Sequence, residues 1–322
     1  MILRVRRRMK VRVLLVGTIT ALAAVVGVQL AIALPGAEQP APSTTPVDWS
    51  TVRPGADASW PACTPPHGAT RTTPLAERPA FVVVGVNDGL PGTVSACIAR
   101  ELRWAGTTTG GSSQPRLAYY VMAADPWTAA ERKWVPHPDW PSSNRVRGTL
   151  VRVPAAFAGD AHGTTCAGGR TERACAYVYG WAMAQHAAAI PGLRSPSTHR
   201  FWIDVEAERT WNRDQRFNQA VVEGMVAAFT APRDRGGIGT TTGVYSDHAE
   251  WARIIGRLRT GSPLDRLDQW IAIGPASKAE AVDALLHDWP LTANGRIRMV
   301  QWVDGRIDRD IALPAARDGA DR

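Results

Sequence analysis

Short apolar runs recur along this chain, and segments of helical length separate them. Strands are expected over 81–86 (Phe-Val-Val-Val-Gly-Val), 117–122, 201–206, 242–246, 269–273 and 298–302, with a final short one over 307–313. Helices are expected over 93–104, 176–190, 213–229, 247–258 and 277–287. Alternation of this kind, with strands apolar on both faces, is the pattern of a parallel sheet covered by helices. Six or seven strands are counted, with a further one placed within the long Pro- and Gly-rich stretch 126–170, where 149–153 is the candidate. No Gly-rich phosphate fingerprint follows the first strand, which removes the main support for an open nucleotide-binding sheet. The expected fold is therefore α/β, a TIM-like (β/α) barrel, with irregularity allowed by the strand count.

The N-terminal end constrains location. Arg4, Arg6, Arg7, Arg8, Lys10 and Arg12 form a basic tail over 1–12, and residues 13–34 carry no charge. About 20 apolar residues cross a bilayer, and basic residues before such a run stay cytoplasmic. The run reads either as a transmembrane anchor or as a signal peptide cleaved after Ala31-Ile32-Ala33. Both place the remainder outside the cytoplasm. The formal charge of +8 falls to +2 without those six residues, so the basic balance belongs to the tail and no nucleic-acid surface is indicated. Residues 35–60 hold Pro35, Pro40, Pro42, Pro46 and Pro54 and read as an extended linker, with the barrel expected over 61–322.

Four cysteines in an exported chain suggest two disulfides. Cys166 and Cys175 bracket a Gly-rich loop and make the first pair; Cys63 and Cys97 are left for the second. No Cys-x-x-Cys or His-x-x-x-His spacing occurs, so neither a zinc centre nor any other cofactor is expected.

In parallel barrels the functional groups stand at the C-terminal ends of the strands. Those ends carry Asn87 and Asp88, Asp125, Asp204 and Glu206, Tyr245, Gln301 and Trp302, with Asp308 and Asp310 beyond. Asp204 and Glu206 are two residues apart on one strand, about 6.6 Å of backbone, and face the same way. Carboxylates at the end of an apolar strand are paired or used. The chain has 13 tryptophans. Trp181 and Trp270 are expected in the core, while Trp127, Trp134, Trp140 and Trp211 have polar or loop surroundings suited to stacking on sugar rings.

Gly85-Val86-Asn87, Trp202-Ile203-Asp204-Val205-Glu206, Gly243-Val244-Tyr245-Ser246, Gln269-Trp270-Ile271-Ala272 and Val300-Gln301-Trp302 with a trailing Asp follow in an order that resembles the glycoside hydrolase family 25 barrel. That family comprises bacterial and phage lysozymes that cut peptidoglycan, and the likeness is closer to exported family-25-like domains of actinobacteria. It covers about 80–313, and its sharpest motif is Asp204-x-Glu206. The resemblance implies Glu206 as general acid with Asp204 assisting. The family's aspartate at the end of its first strand falls on Asn87 here, with Asp88 adjacent. Its last acid matches Asp308 or Asp310. Asn87, Asp88, Asp125, Tyr245, Gln301, Trp302, Asp308, Asp310 and Trp211 are the substrate-contact candidates. Three functions follow: an exported glycoside hydrolase acting on cell-wall glycan, a barrel that binds that glycan without cutting it, and a structural envelope protein whose rim acids pair with arginines.

Overall fold

Eight strands close into a barrel because seven of them run parallel and the last returns antiparallel to join the first. The computed structural model describes residues 47–58, 75–87, 89, 91–125, 140–159, 161–206 and 211–315. The chain divides into units Met1–Val47 and Asp48–Arg322. Of the first, only Val47 lies among the described residues, and everything below concerns the second. In chain order the elements are β1 (Gly55–Ala58), β2 (Val82–Gly85), α1 (Ile98–Ala105), β3 (Leu117–Met122), β4 (Arg145–Val146), β5 (Thr149–Leu150) and α2 (Arg173–Ala188). Then follow β6 (Phe201–Asp204), α3 (Gln215–Thr230), β7 (Thr242–Ser246), α4 (His248–Ile254), β8 (Asp268–Pro275), α5 (Lys278–His287), β9 (Arg296–Asp304) and β10 (Ile307–Ala312). Around the barrel the order is β1, β2, β3, β6, β7, β8, β9, β10. The expected α/β barrel is thus the fold.

Two strand expectations are corrected. The first barrel strand is β1, inside the stretch read as linker 35–60; it pairs with β2 and β10 and is fully buried. Gly-Ala-Asp-Ala carries no β-branched or aromatic residue, so local propensity gives no strand signal there. Its burial comes from its two partners. The strand sought within 126–170 is not in the barrel: β5 pairs only with β4, as a separate hairpin turning through Arg147 and Gly148, both at positive φ. The turn Gly305-Arg306 between β9 and β10 is a two-residue hairpin loop with Gly305 at φ 65°, which is why the last strand is antiparallel.

The helices start where side chains cap them. Asp214 accepts from the Arg216 N–H, Asp247 from the Glu250 N–H, and Ser277 with Glu280 forms a capping box. α2 and α3 cross at van der Waals distance because glycines meet at the crossing. A Cβ on Gly180 would fall on the carbonyl oxygen of Val221, and one on Gly224 on that of Tyr177. Cys166 and Cys175 are disulfide-bonded, tying the preceding loop to the first turn of α2. Cys97 is also disulfide-bonded, while Cys63 lies outside the described residues. Among the described residues no helix is long and apolar enough to cross a membrane; residues 13–34 lie outside them.

Candidate functional site at the C-terminal mouth of the barrel

The period-2 alternation of the strands sorts the barrel interior into steps. An apolar plug fills the barrel: Phe81, Val83, Ala118, Tyr120, Trp202, Trp270, Met299 and Ala312 pack as one cluster. The glycines are matched to its large rings. A Cβ on Gly55 would enter the Phe81 ring, and one on Gly243 the Trp202 ring. Two residues along each strand, on the same face, the chemistry changes. Gly55 is followed by Asp57, Trp202 by Asp204, Gly243 by Tyr245 and Met299 by Gln301, and on antiparallel β10 Ala312 is preceded by Asp310. All five are buried. One step further out stand Glu206 and Asp308, both half-buried.

Hydrogen bonds fix this layer. Tyr245 Oη–H donates to Gln301 Oε1 at 2.8 Å, and Gln301 Nε2–H donates to Asp57 Oδ2 at 2.8 Å. Tyr120 Oη–H donates to the Ala58 carbonyl at 3.0 Å. The Trp211 indole N–H donates to the Glu206 carbonyl at 2.8 Å, and Ser246 Oγ–H to that of Val205 at 2.7 Å, so the end of β6 is held from two sides. Burial pushes the Tyr245 phenol well above its ordinary pKa, and the charges of Glu206, Asp204, Asp57 and Asp308 push it further. Burial again comes first for Tyr120, followed by Asp204, Asp57, Glu101 and Glu206. Both phenols therefore remain protonated donors, and the carboxylates of three strands act on one small volume.

The structure brings together Asp204, Glu206, Tyr245, Gln301, Asp308 and Asp310 from the sequence candidates. Asn87 is not among them. It lies two residues past β2, which is not the first strand, and its amide both accepts from the Met122 N–H and donates to the Met122 carbonyl, at 3.0 Å each, which extends the β2–β3 ladder by one rung. Trp302 faces away from the barrel axis and packs with Ile271, Leu285, Val300 and Ile311 under α5. Trp211 supports the backbone of Glu206. Asp125 is buried behind β3, where its charge, after burial, raises the Tyr179 phenol on α2. Trp140 stacks on Phe217 with ring centroids 6.1 Å apart, and its N–H donates to the Gly168 carbonyl. Trp181 and Trp270 are core residues as expected. Asp88, Trp127 and Trp134 lie outside the described residues.

Asp57 is the site residue that sequence reasoning missed. Its signal is faint: an aspartate between two alanines in a stretch dominated by prolines. With the first strand at Gly55–Ala58, the first-strand acid at the mouth is Asp57, and Asn87 no longer stands in for it. Among the described residues the one close trio of metal-type ligands is Cys166, Glu172 and Cys175, whose sulfurs are spent in the disulfide. A separate cleft of about 510 Å³, lined by His248, Trp251, Arg257 and Trp289 among others, includes none of the mouth residues. No family model matches this chain, and neither does any curated protein or solved structure.

Proposed function

We propose that the chain is an exported glycoside hydrolase-like barrel that acts on cell-wall glycan of the peptidoglycan type. The observation that carries this reading is the convergence of carboxylates from β1, β6 and β10 at the C-terminal mouth, beside two phenols held as donors. Glycoside cleavage needs one carboxyl to protonate the leaving oxygen and a second to stabilise or attack the anomeric centre. Glu206, half-buried at the rim, is the proton donor. Asp204, buried two residues below it, orients the reacting group and stabilises positive charge. Asp57 supplies the first-strand carboxylate. The uncharged run 13–34 behind six basic residues supports export or tethering.

The test is release of reducing ends from purified peptidoglycan by the wild type and by Glu206→Gln. Glutamine keeps the size and hydrogen bonding of glutamate but has no proton to give. The variant should lose about 10²–10⁴ in rate while still sedimenting with the wall. A wild type that binds wall glycan and releases nothing overturns the hydrolase and leaves the glycan-binding barrel. A wild type that does neither overturns both and leaves a structural envelope role.

A further inference from the structure

Asp310 is the most enclosed carboxyl of the barrel. It is fully buried (0 %), and among the described residues it forms no ion pair and neither of its oxygens accepts a well-formed hydrogen bond. The groups that face it are known from each neighbouring element. Asp57 comes from β1 and Asp308 from its own strand; Gln301 stands opposite in register on β9. The indole N–H of Trp270, itself without a well-formed partner among the described residues, approaches from β8. Beyond these stand Asp204 and Glu206 on β6 and the phenols of Tyr245 and Tyr120, both protonated. A carboxylate enclosed in this way, with further carboxylates beside it and one poorly placed donor, is unstable relative to the acid. Burial first, then the charges of Asp57 and Asp308, push the Asp310 pKa well above the ordinary carboxylate value. A neutral carboxyl has one O–H to donate, and Asp57 is the acceptor within its reach. Asp57 is itself 4 % exposed and already accepts the Gln301 N–H.

We propose that Asp310 carries a proton at neutral pH and acts as a positioning residue, its O–H clamping the Asp57 carboxylate from one side while Gln301 clamps it from the other. Tyr245 completes the clamp. Its O–H occupies Gln301 Oε1, so the amide turns its N–H toward Asp57. Asp57 is thereby held charged, in one orientation, at the floor of the mouth. The catalytic use of that orientation rests on the glycoside hydrolase reading; the proton on Asp310 does not.

Three measurements on the full-length protein test this. Infrared spectra at neutral pH should show the C=O stretch of a protonated carboxyl in the wild type, with a component that Asp310→Asn removes and Glu206→Gln leaves in place. No such band in the wild type overturns the proposal, whether or not the variant folds. Melting across pH is the second. The folded chain keeps a proton that the unfolded chain releases above about pH 3.9, so the Asp310 contribution to stability falls as pH rises from there toward the folded pKa. An amide in its place has nothing to titrate. Asp310→Asn should therefore melt about 3 °C or more above the wild type at neutral pH, with the gap closing near pH 4. A variant that melts below the wild type by the same margin at every pH overturns the proposal. The third is glycan release. Asp310→Asn should stay within about threefold of the wild type and Asp310→Leu, which removes the donor, should lose about tenfold or more. If Asp310→Asn is as inactive as Glu206→Gln, Asp310 transfers the proton itself and the positioning role falls. If the wild type releases nothing, the hydrolase reading falls alone, and the spectra and melts still decide where the proton sits.

Discussion

Two carboxyls at opposite ends of the same barrel have opposite fates. Asp268, at the N-terminal end of β8, meets Arg200 at 2.8 Å, Arg298 at 3.0 Å and Arg296 at 3.7 Å. Burial alone would raise its pKa, but the hydrogen bond from Arg298 and the charges of Arg200 and Arg298 outweigh burial and hold it below the ordinary value. Asp310, among the mouth residues at the other end, has no ion pair among the described residues and faces further carboxylates, and its pKa is driven up. The cations of the base make one carboxylate a structural cross-link between β6, β8 and β9. The crowding at the mouth leaves a carboxyl whose charged form is disfavoured. The cation-paired carboxylate thus lies at the bottom face and the crowded one at the top, where the proposed function would use it.

The largest expected effect breaks the comparison at the mouth. Glu206→Gln should lower glycan release by about 10²–10⁴ while changing the unfolding free energy by no more than about 0.5 kcal/mol, as checked by reducing-end assays and urea titration on one preparation. Next comes Trp302→Ala, which separates the outward face of β9 from the inward one. Removing a core indole should cost about 3–5 kcal/mol in urea unfolding and leave release per folded molecule unchanged. A specific loss of release from this variant, at concentrations where it is folded, would return Trp302 to the site.

Asp268→Asn is the counterpart at the base. It leaves three guanidiniums around an amide and should cost about 2–3 kcal/mol, less than a fully buried pair because Arg296 and Arg298 are partly exposed. It should not alter kcat/KM. The pH dependence gives the same contrast with a sign. The folded pKa of Asp268 lies below its unfolded value, so its contribution is present above about pH 3.9 and is lost as pH falls below that. Wild type should lose more stability than Asp268→Asn through that acid window; equal slopes would mean the arginines do not hold Asp268. The smallest effect is Tyr245→Phe. It removes the donor to Gln301 and should cost about 1 kcal/mol in unfolding.

Most of the architecture was legible from residue patterns. The runs at 117–122, 201–206, 242–246, 269–273 and 298–302 fall where periodicity puts them, because a strand buried on both faces has to be apolar throughout, and five helices overlap their expected ranges, although the first starts at Ile98 instead of 93 and the fourth stops at Ile254. The two misplaced strands share a cause. Gly55–Ala58 lacks any strand-forming residue and 149–153 is rich in them, yet only the first finds barrel partners. Strand membership at these places is decided by pairing across the closure, between residues some 250 positions apart, as in Gly55 with Asp310.

The site divides in the same way. Sequence spacing alone put Asp204 and Glu206 on one face of one strand, and the parity of β10 put Asp308 and Asp310 on another, because side chains alternate along any strand. Which face points inward is not contained in that alternation. Gln301 and Trp302 are neighbours with equal claims in the sequence, and only the closed sheet turns Gln301 toward Asp57 and Trp302 toward α5. The resemblance set Asn87 at the place of the first-strand aspartate, but β1 precedes it in the barrel and its amide is a rung of the β2–β3 ladder. The sequence by itself determined most of the elements and the identity of most of the mouth acids, since both depend on local periodicity. The tertiary structure decided which acids meet, which of them has its pKa driven up and which residue is the first-strand carboxylate, since those depend on distances and dielectric that exist only once the barrel closes.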